Sequence, residues 1–204
     1  MEYVNAVQTL NEWFDKLNKL KFENTLSKPI ISIASDHKNS CFGWCTTWQA
    51  WEADNIKRYE INIVPEHLNR QPQETIGTLL HEMVHLDNIQ KGIKDCSRAG
   101  TYHNKKFKDT AEAHGLIVEP SQKYGYAHTK LTPETIKELQ DIGILERIDL
   151  CRHSLIKLGK KSKSSTRKYV CPSCGISCRA TKDIKILCYT CEEIMEKEET
   201  DTDE

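Results

Sequence analysis

Thr78-Leu79-Leu80-His81-Glu82-Met83-Val84-His85 sets two imidazoles four residues apart in an apolar run. On a helix that spacing stacks both rings on one face, where they can share a metal ion. Glu82 follows the first histidine, rotated about 100° around the axis, within reach of a water on that metal. The flanks read as helix too. Pro72 suits a first helical position, Ile76, Leu79, Leu80, Met83 and Val84 recur at helical spacing, and Gly92 follows Gln90 as a terminator.

These residue types together point to hydrolysis. Zinc brings the pKa of its water to roughly 7, and a neighbouring carboxylate can take the proton and deliver it to a leaving amine. A catalytic site needs a third protein ligand and one open position. His103 and His114 compete for that role. His103 is preferred, because it begins a predicted helix after the polar loop Asp95-Cys96-Ser97-Arg98-Ala99-Gly100 and can point back at the first helix. His114 ends the same helix, where a solvated or capping role is expected.

Upstream, Val4, Val7, Leu10, Phe14, Leu17 and Leu20 predict an amphipathic helix over 2–22. Three strand candidates follow: the run around Pro29–Ile33, the aromatic stretch Cys41–Trp51, and Tyr59–Val64, ended by Pro65. Together they predict a small antiparallel sheet. Thr132-Pro133 starts a further helix that runs to about Asp141. The fold class expected is α+β: a small antiparallel sheet packed on helices that carry the HExxH zincin-type site, plus a small C-terminal four-cysteine zinc ribbon.

Nine cysteines in 204 residues, an odd number, read as metal ligands or free thiols in a reducing compartment. Cys171-Pro172-Ser173-Cys174 and Cys188-Tyr189-Thr190-Cys191 form two C-x2-C pairs, the pattern of a closed tetrahedral site with a structural zinc ion. Cys178 is a spare, and Cys41, Cys45, Cys96 and Cys151 read as core or loop thiols.

Charge is segregated. Residues 152–191 sum to +9 and residues 192–204 to −7, inside a net charge of −1. The expected organisation is a catalytic domain over 1–150, a basic linker over 151–168, the ribbon over 169–195, and an acidic disordered tail over 196–204. Lys160, Lys161, Lys163, Arg167 and Lys168 are the candidate contacts to DNA or another polyanion, with sequence-blind, salt-sensitive binding expected. No run of ~18 apolar residues predicts a membrane span. The N-terminal residues do not read as a secretory signal, so the expected compartment is the cytoplasm. For Tyr124, Tyr126 and His128, packing is preferred over an oxyanion role for a phenol.

The stretch Thr78–His85, with His103 and Phe107 after it and the Trp44–Trp51 and Tyr59–Ile63 runs before it, resembles the SprT-like (Spartan-type) metalloprotease domain. The resemblance covers roughly 3–128 and extends to the C-terminal ribbon. It implies His81, His85 and His103 as ligands of a catalytic zinc ion and Glu82 as the catalytic residue. Many members carry Gly after the third histidine, where this chain has Asn104, a residue that also tolerates unusual backbone angles. Eukaryotic members digest proteins crosslinked to DNA, which implies a protein substrate and a DNA partner. The expected function is therefore zinc-dependent endopeptidase. The competing classes are a non-enzymatic nucleic-acid-binding zinc protein on the same scaffold and a metal-dependent hydrolase of another amide.

Overall fold

The computed structural model describes residues 1–36, 41–153 and 166–198. Lys160, Lys161 and Lys163, and the tail from 199 onward, lie outside the described residues. The chain divides into two compact units, Met1–Ser154 and Leu155–Glu204.

The first unit opens with α1 (Tyr3–Lys21). Its apolar stripe buries Ala6, Leu10, Trp13, Phe14 and Leu17, while Val4 in the first turn stays 69% exposed. Strand β1 (Ile30–Ile33) follows, then β2 (Gly43–Cys45), the hairpin β3 (Trp51–Ala53) and β4 (Ile56–Arg58), and β5 (Glu60–Ile63). Pro65–His67 form a 3-10 turn that leads into α2 (Pro72–Gln90). A capping box between Gln71 and Glu74 starts α2, with Pro72 in its first turn. Ile76, Leu79, Leu80, Met83, Val84 and Leu86 are all fully buried, each contributing about 1.5–3 kcal/mol of apolar burial.

The sheet corrects the antiparallel expectation. Its order is β1-β5-β2, with β1 parallel to β5 and β2 antiparallel to it. The long connection from Ile33 to Glu60 lets the chain cross over and bring β5 in alongside β1 in the same direction. The stretch 41–51 is not one strand either. The Thr46 hydroxyl donates to Trp48 O at 2.8 Å and accepts from Glu60 N at 2.9 Å, which replaces a ladder bond and turns the chain toward the exposed β3–β4 hairpin.

Beyond α2 lies a second sheet that the periodicity did not predict. It comprises β6 (Cys96–Ser97), β7 (Tyr102–His103), β8 (Leu116–Ser121) and β9 (Gly125–Leu131), in the order β6-β7-β9-β8. Helix α3 (Lys105–Ala113) packs between β7 and β8 in the chain. His103 therefore ends a strand and does not begin the helix. Asn104 explains the offset: its side-chain oxygen accepts from Lys106 N at 2.8 Å and Phe107 N at 3.4 Å, so it is the N-cap. Its φ of −92° is ordinary, so its value here is the cap and not tolerance of unusual angles. Helix α4 (Pro133–Asp141) starts from the Thr132 cap as predicted.

The second unit contains β10 (Arg167–Val170), β11 (Ser177–Ala180), β12 (Leu187–Cys188), β13 (Glu193–Ile194) and β14 (Glu196–Lys197). Two boundaries move. Arg167 and Lys168 belong to β10 and not to the linker, and Glu196 and Lys197 pair with Val170 and Tyr169 and not with a disordered tail. Backbone ladder bonds recruit both segments, whose polar side chains hide them in a hydropathy reading. Among the described residues, no helix is long and apolar enough to cross a membrane.

Candidate metal centres

Helix α2 presents His81 and His85 on one face, one turn apart, and β7 delivers His103 to the same point. His81 Nε2 lies 3.2 Å from His103 Nε2, and His85 Nε2 lies 3.0 Å from it. Phe107 seats all three rings, with centroids 4.6 Å from each. Glu82 is buried on the floor of the same cleft, an open volume of about 2000 Å3 whose walls include Trp48, Tyr124 and His128.

The far sides of the rings differ. His81 Nδ1 meets Thr129 Oγ1 at 2.9 Å, and His85 Nδ1 meets Asp95 Oδ2 at 2.7 Å. His103 Nδ1 is buried and, among the described residues, makes no well-formed hydrogen bond, although the Tyr124 main chain nearby acts to raise the ring's value. A carboxylate only accepts, so the His85 proton sits on Nδ1 and its Nε2 lone pair faces the other rings. Converging imidazole lone pairs repel unless a cation lies among them, and three nitrogen donors with an open side suit zinc.

Electrostatics agree with that arrangement. Burial lowers His81 well below its ordinary value, helped by its two imidazole neighbours, and burial beside His85 lowers His103 to about 4. Neutral imidazole is the ligating form. For His85, burial acts downward, but the hydrogen bond it donates to Asp95 and the Glu82 and Asp95 charges outweigh it and raise the value. Burial pushes the Glu82 carboxyl up to about 7, against a lowering by His85 and with a raising by the Asp95 charge, while the nearby Cys45 N–H lowers it. That N–H comes from β2, whose close approach depends on Gly43: a Cβ there would sit 2.7 Å from Asn62 O and 3.4 Å from Glu82 Cγ.

His114 is elsewhere. It is the C-cap of α3, its Nδ1 donating to Lys21 O at 2.7 Å and its ring stacking on Phe22 at 4.1 Å. It is half-buried between α1 and α3, so the solvated alternative does not hold. Tyr126 packs against the core, whereas Tyr124 and His128 face the cleft.

In the second unit, the sulfurs of Cys171, Cys174, Cys188 and Cys191 all lie within 4.8 Å of one another. The knuckle closes through Gly175 N to Cys171 O and Cys171 N to Ile176 O, both at 2.9 Å. The N–H of Cys174 aims at the Cys171 sulfur and holds its thiol below the usual range. Among the described residues of this unit, Tyr169, Cys171, Cys188 and Met195 form the buried cluster, too few side chains to hold a fold without a metal. Cys178 stands outside the four, 3.9 Å from Met195 Sδ. None of the nine cysteines forms a disulfide. Cys41 and Cys45 line the cleft, where burial and the Glu82 charge raise both thiols.

Of the basic candidates that are described, Arg167 is held by Asp183 at 2.9 Å and by Thr181 O at 2.8 Å, and Lys168 by Glu198 at 2.9 Å. Those charges are largely offset within the unit. Asp95, Asn88 and Thr129 were missed in the sequence. An Asp in a polar loop ten residues past His85 is the one signal that could have been followed.

A family model, that of the SprT-like family, matches residues 10–132, a span that holds the three histidines and Glu82. No curated protein and no solved structure matches the chain.

Proposed function

Because the chain belongs to the SprT-like family, we propose that it is a zinc-dependent endopeptidase whose zinc is held by His81, His85 and His103 and whose general base is Glu82. The observation that carries this reading is the convergence of His81 Nε2 and His85 Nε2 on His103 Nε2, at 3.2 and 3.0 Å, beside a buried carboxylate in an open cleft.

A bound zinc ion supplies a Lewis acid that polarises the scissile carbonyl and acidifies water. The remaining steps belong to the chain. Glu82, buried beside the three imidazoles, takes the proton of the attacking water and returns it to the departing amine. The nearby Cys45 N–H favours the ionised form of that carboxylate. Tyr124 and His128 offer donors on the cleft wall for the developing oxyanion. Cys171, Cys174, Cys188 and Cys191 would hold a second zinc ion, in a structural role because four thiolates would leave no open position.

Nucleic acid is the further partner, with DNA-associated proteins as the substrates. Arg179, Lys182 and Lys185 are exposed, and Tyr189 is 91% exposed, which supports a salt-sensitive contact with a stacking residue. Glu82→Gln tests the catalytic reading. It is expected to retain both zinc ions and to lose about 10²–10⁴-fold in cleavage of a protein substrate, with and without DNA. Undiminished cleavage by that variant, or no cleavage by the wild type under either condition, would favour the non-enzymatic class.

A further inference from the structure

Asp95 touches both of the segments that bring ligands to the first centre. Its Oδ2 accepts from His85 Nδ1 at 2.7 Å and from Asn88 Nδ2 at 3.0 Å, and the side chain is 9% exposed. Its main-chain O accepts from Asn104 N at 2.9 Å, the residue next to His103. The adjacent Cys96 pairs across the β6–β7 ladder with His103 itself. Asn88 is fully buried one turn beyond His85, with its other amide atom against Thr110 Oγ1 of α3 at 2.9 Å. A carboxylate cannot donate, so the amide must turn its NH2 toward Asp95, and both polar ends of Asn88 are spoken for.

We propose that Asp95 is the positioning residue of the metal centre, its carboxylate fixing the His85 ring with Nε2 as the free donor and its main chain tying that ring to the segment carrying His103. The inference rests on the three-histidine reading above and assigns a role that reading does not need. Hydrogen bonding at the remote nitrogen fixes which nitrogen ligates and strengthens it as a donor. The three rings are unequal in this respect. His85 has a charged acceptor and His81 a neutral hydroxyl, while His103 Nδ1 makes no well-formed hydrogen bond among the described residues.

The test uses the full chain. In the zinc-loaded wild type, nitrogen NMR of labelled histidine is expected to show His85 protonated on Nδ1, with that proton strongly downfield. A proton on Nε2 would overturn the proposal, and this measurement needs no variant to fold. Asp95→Asn keeps the shape and an acceptor oxygen but removes the charge. Competition with a chelator is expected to show zinc held about 10–100-fold more weakly at the first centre, with the four-cysteine site unchanged. Equal affinity in Asp95→Asn and wild type would overturn the role of Asp95 while leaving the three-histidine site intact. A wild type that takes up one zinc ion, lost on mutating Cys171, would overturn both.

Discussion

The Nε2 atoms of His85 and His103 lie 3.0 Å apart, although 18 positions separate the residues in the chain. One belongs to a helix and the other to a strand, and their meeting defines the first centre. The wild type is expected to carry two zinc ions per chain by elemental analysis. His103→Ala should carry one, since two imidazoles alone hold zinc weakly. His114→Ala should keep two and lose about 1 kcal/mol of stability, because it removes the hydrogen bond to the part-buried Lys21 carbonyl. Loss of a zinc ion from His114→Ala, and none from His103→Ala, would reverse the ligand assignment.

The metal-stripped protein carries a pH signature from Glu82. Its folded value of about 7 exceeds the ordinary 4.5, so the fold holds that proton more tightly than the unfolded chain does. Its contribution to stability therefore falls as pH rises from 4.5 to 7, by about 3 kcal/mol in total. His81 and His103 act in the opposite sense: their values are lowered, so stability is lost as pH falls below 6.5. Comparing Glu82→Gln with wild type in denaturant melts isolates the carboxylate. The variant should gain on the wild type between pH 5 and pH 8, and a difference that does not move with pH would contradict the burial argument.

Gly125 supports His103 from the next strand. Its φ is +66°, and a Cβ there would lie 2.1 Å from His103 O and 3.0 Å from the Tyr102 ring. Gly125→Ala should cost more than about 2 kcal/mol, because strain and a backbone clash coincide. Weaker zinc binding at the first centre should accompany it, read by the same chelator competition. Unchanged stability and affinity would show that the β7–β9 contact does not hold His103.

Asn104 provides a finer measurement. As the N-cap of α3, its replacement by Ala should cost about 1 kcal/mol and by Gly only a few tenths. Thermal melts of the two variants decide the matter, and a Gly variant worse than Ala would argue against the cap.

For the C-terminal unit, binding to single-stranded DNA should weaken steeply with salt, and the double variant Lys182→Glu, Lys185→Glu should weaken it further. Arg167→Ala should change it little, since Asp183 already engages that guanidinium. Fluorescence anisotropy at two salt concentrations reads all three. A salt-independent signal would remove phosphate contact from the account.

Local chemistry made some of this molecule legible in the chain. The i, i+4 spacing of His81 and His85, the Pro72 start of α2, the Thr132 cap of α4 and the two C-x2-C pairs are all written within a few residues, because helix period, capping and knuckle spacing are short-range. Tertiary structure decided what depends on chain segments far apart. The parallel pairing of β1 with β5 follows from a crossover, and the second sheet from ladders that leave no hydropathy signature. His103 meets His81 and His85 because β7 is held between β6 and β9, while His114 joins α3 to α1. Asp95 reads as a loop residue until folding removes it from water and sets it against the His85 ring. Only then does a buried charge require a partner, and that requirement appears in no stretch of sequence.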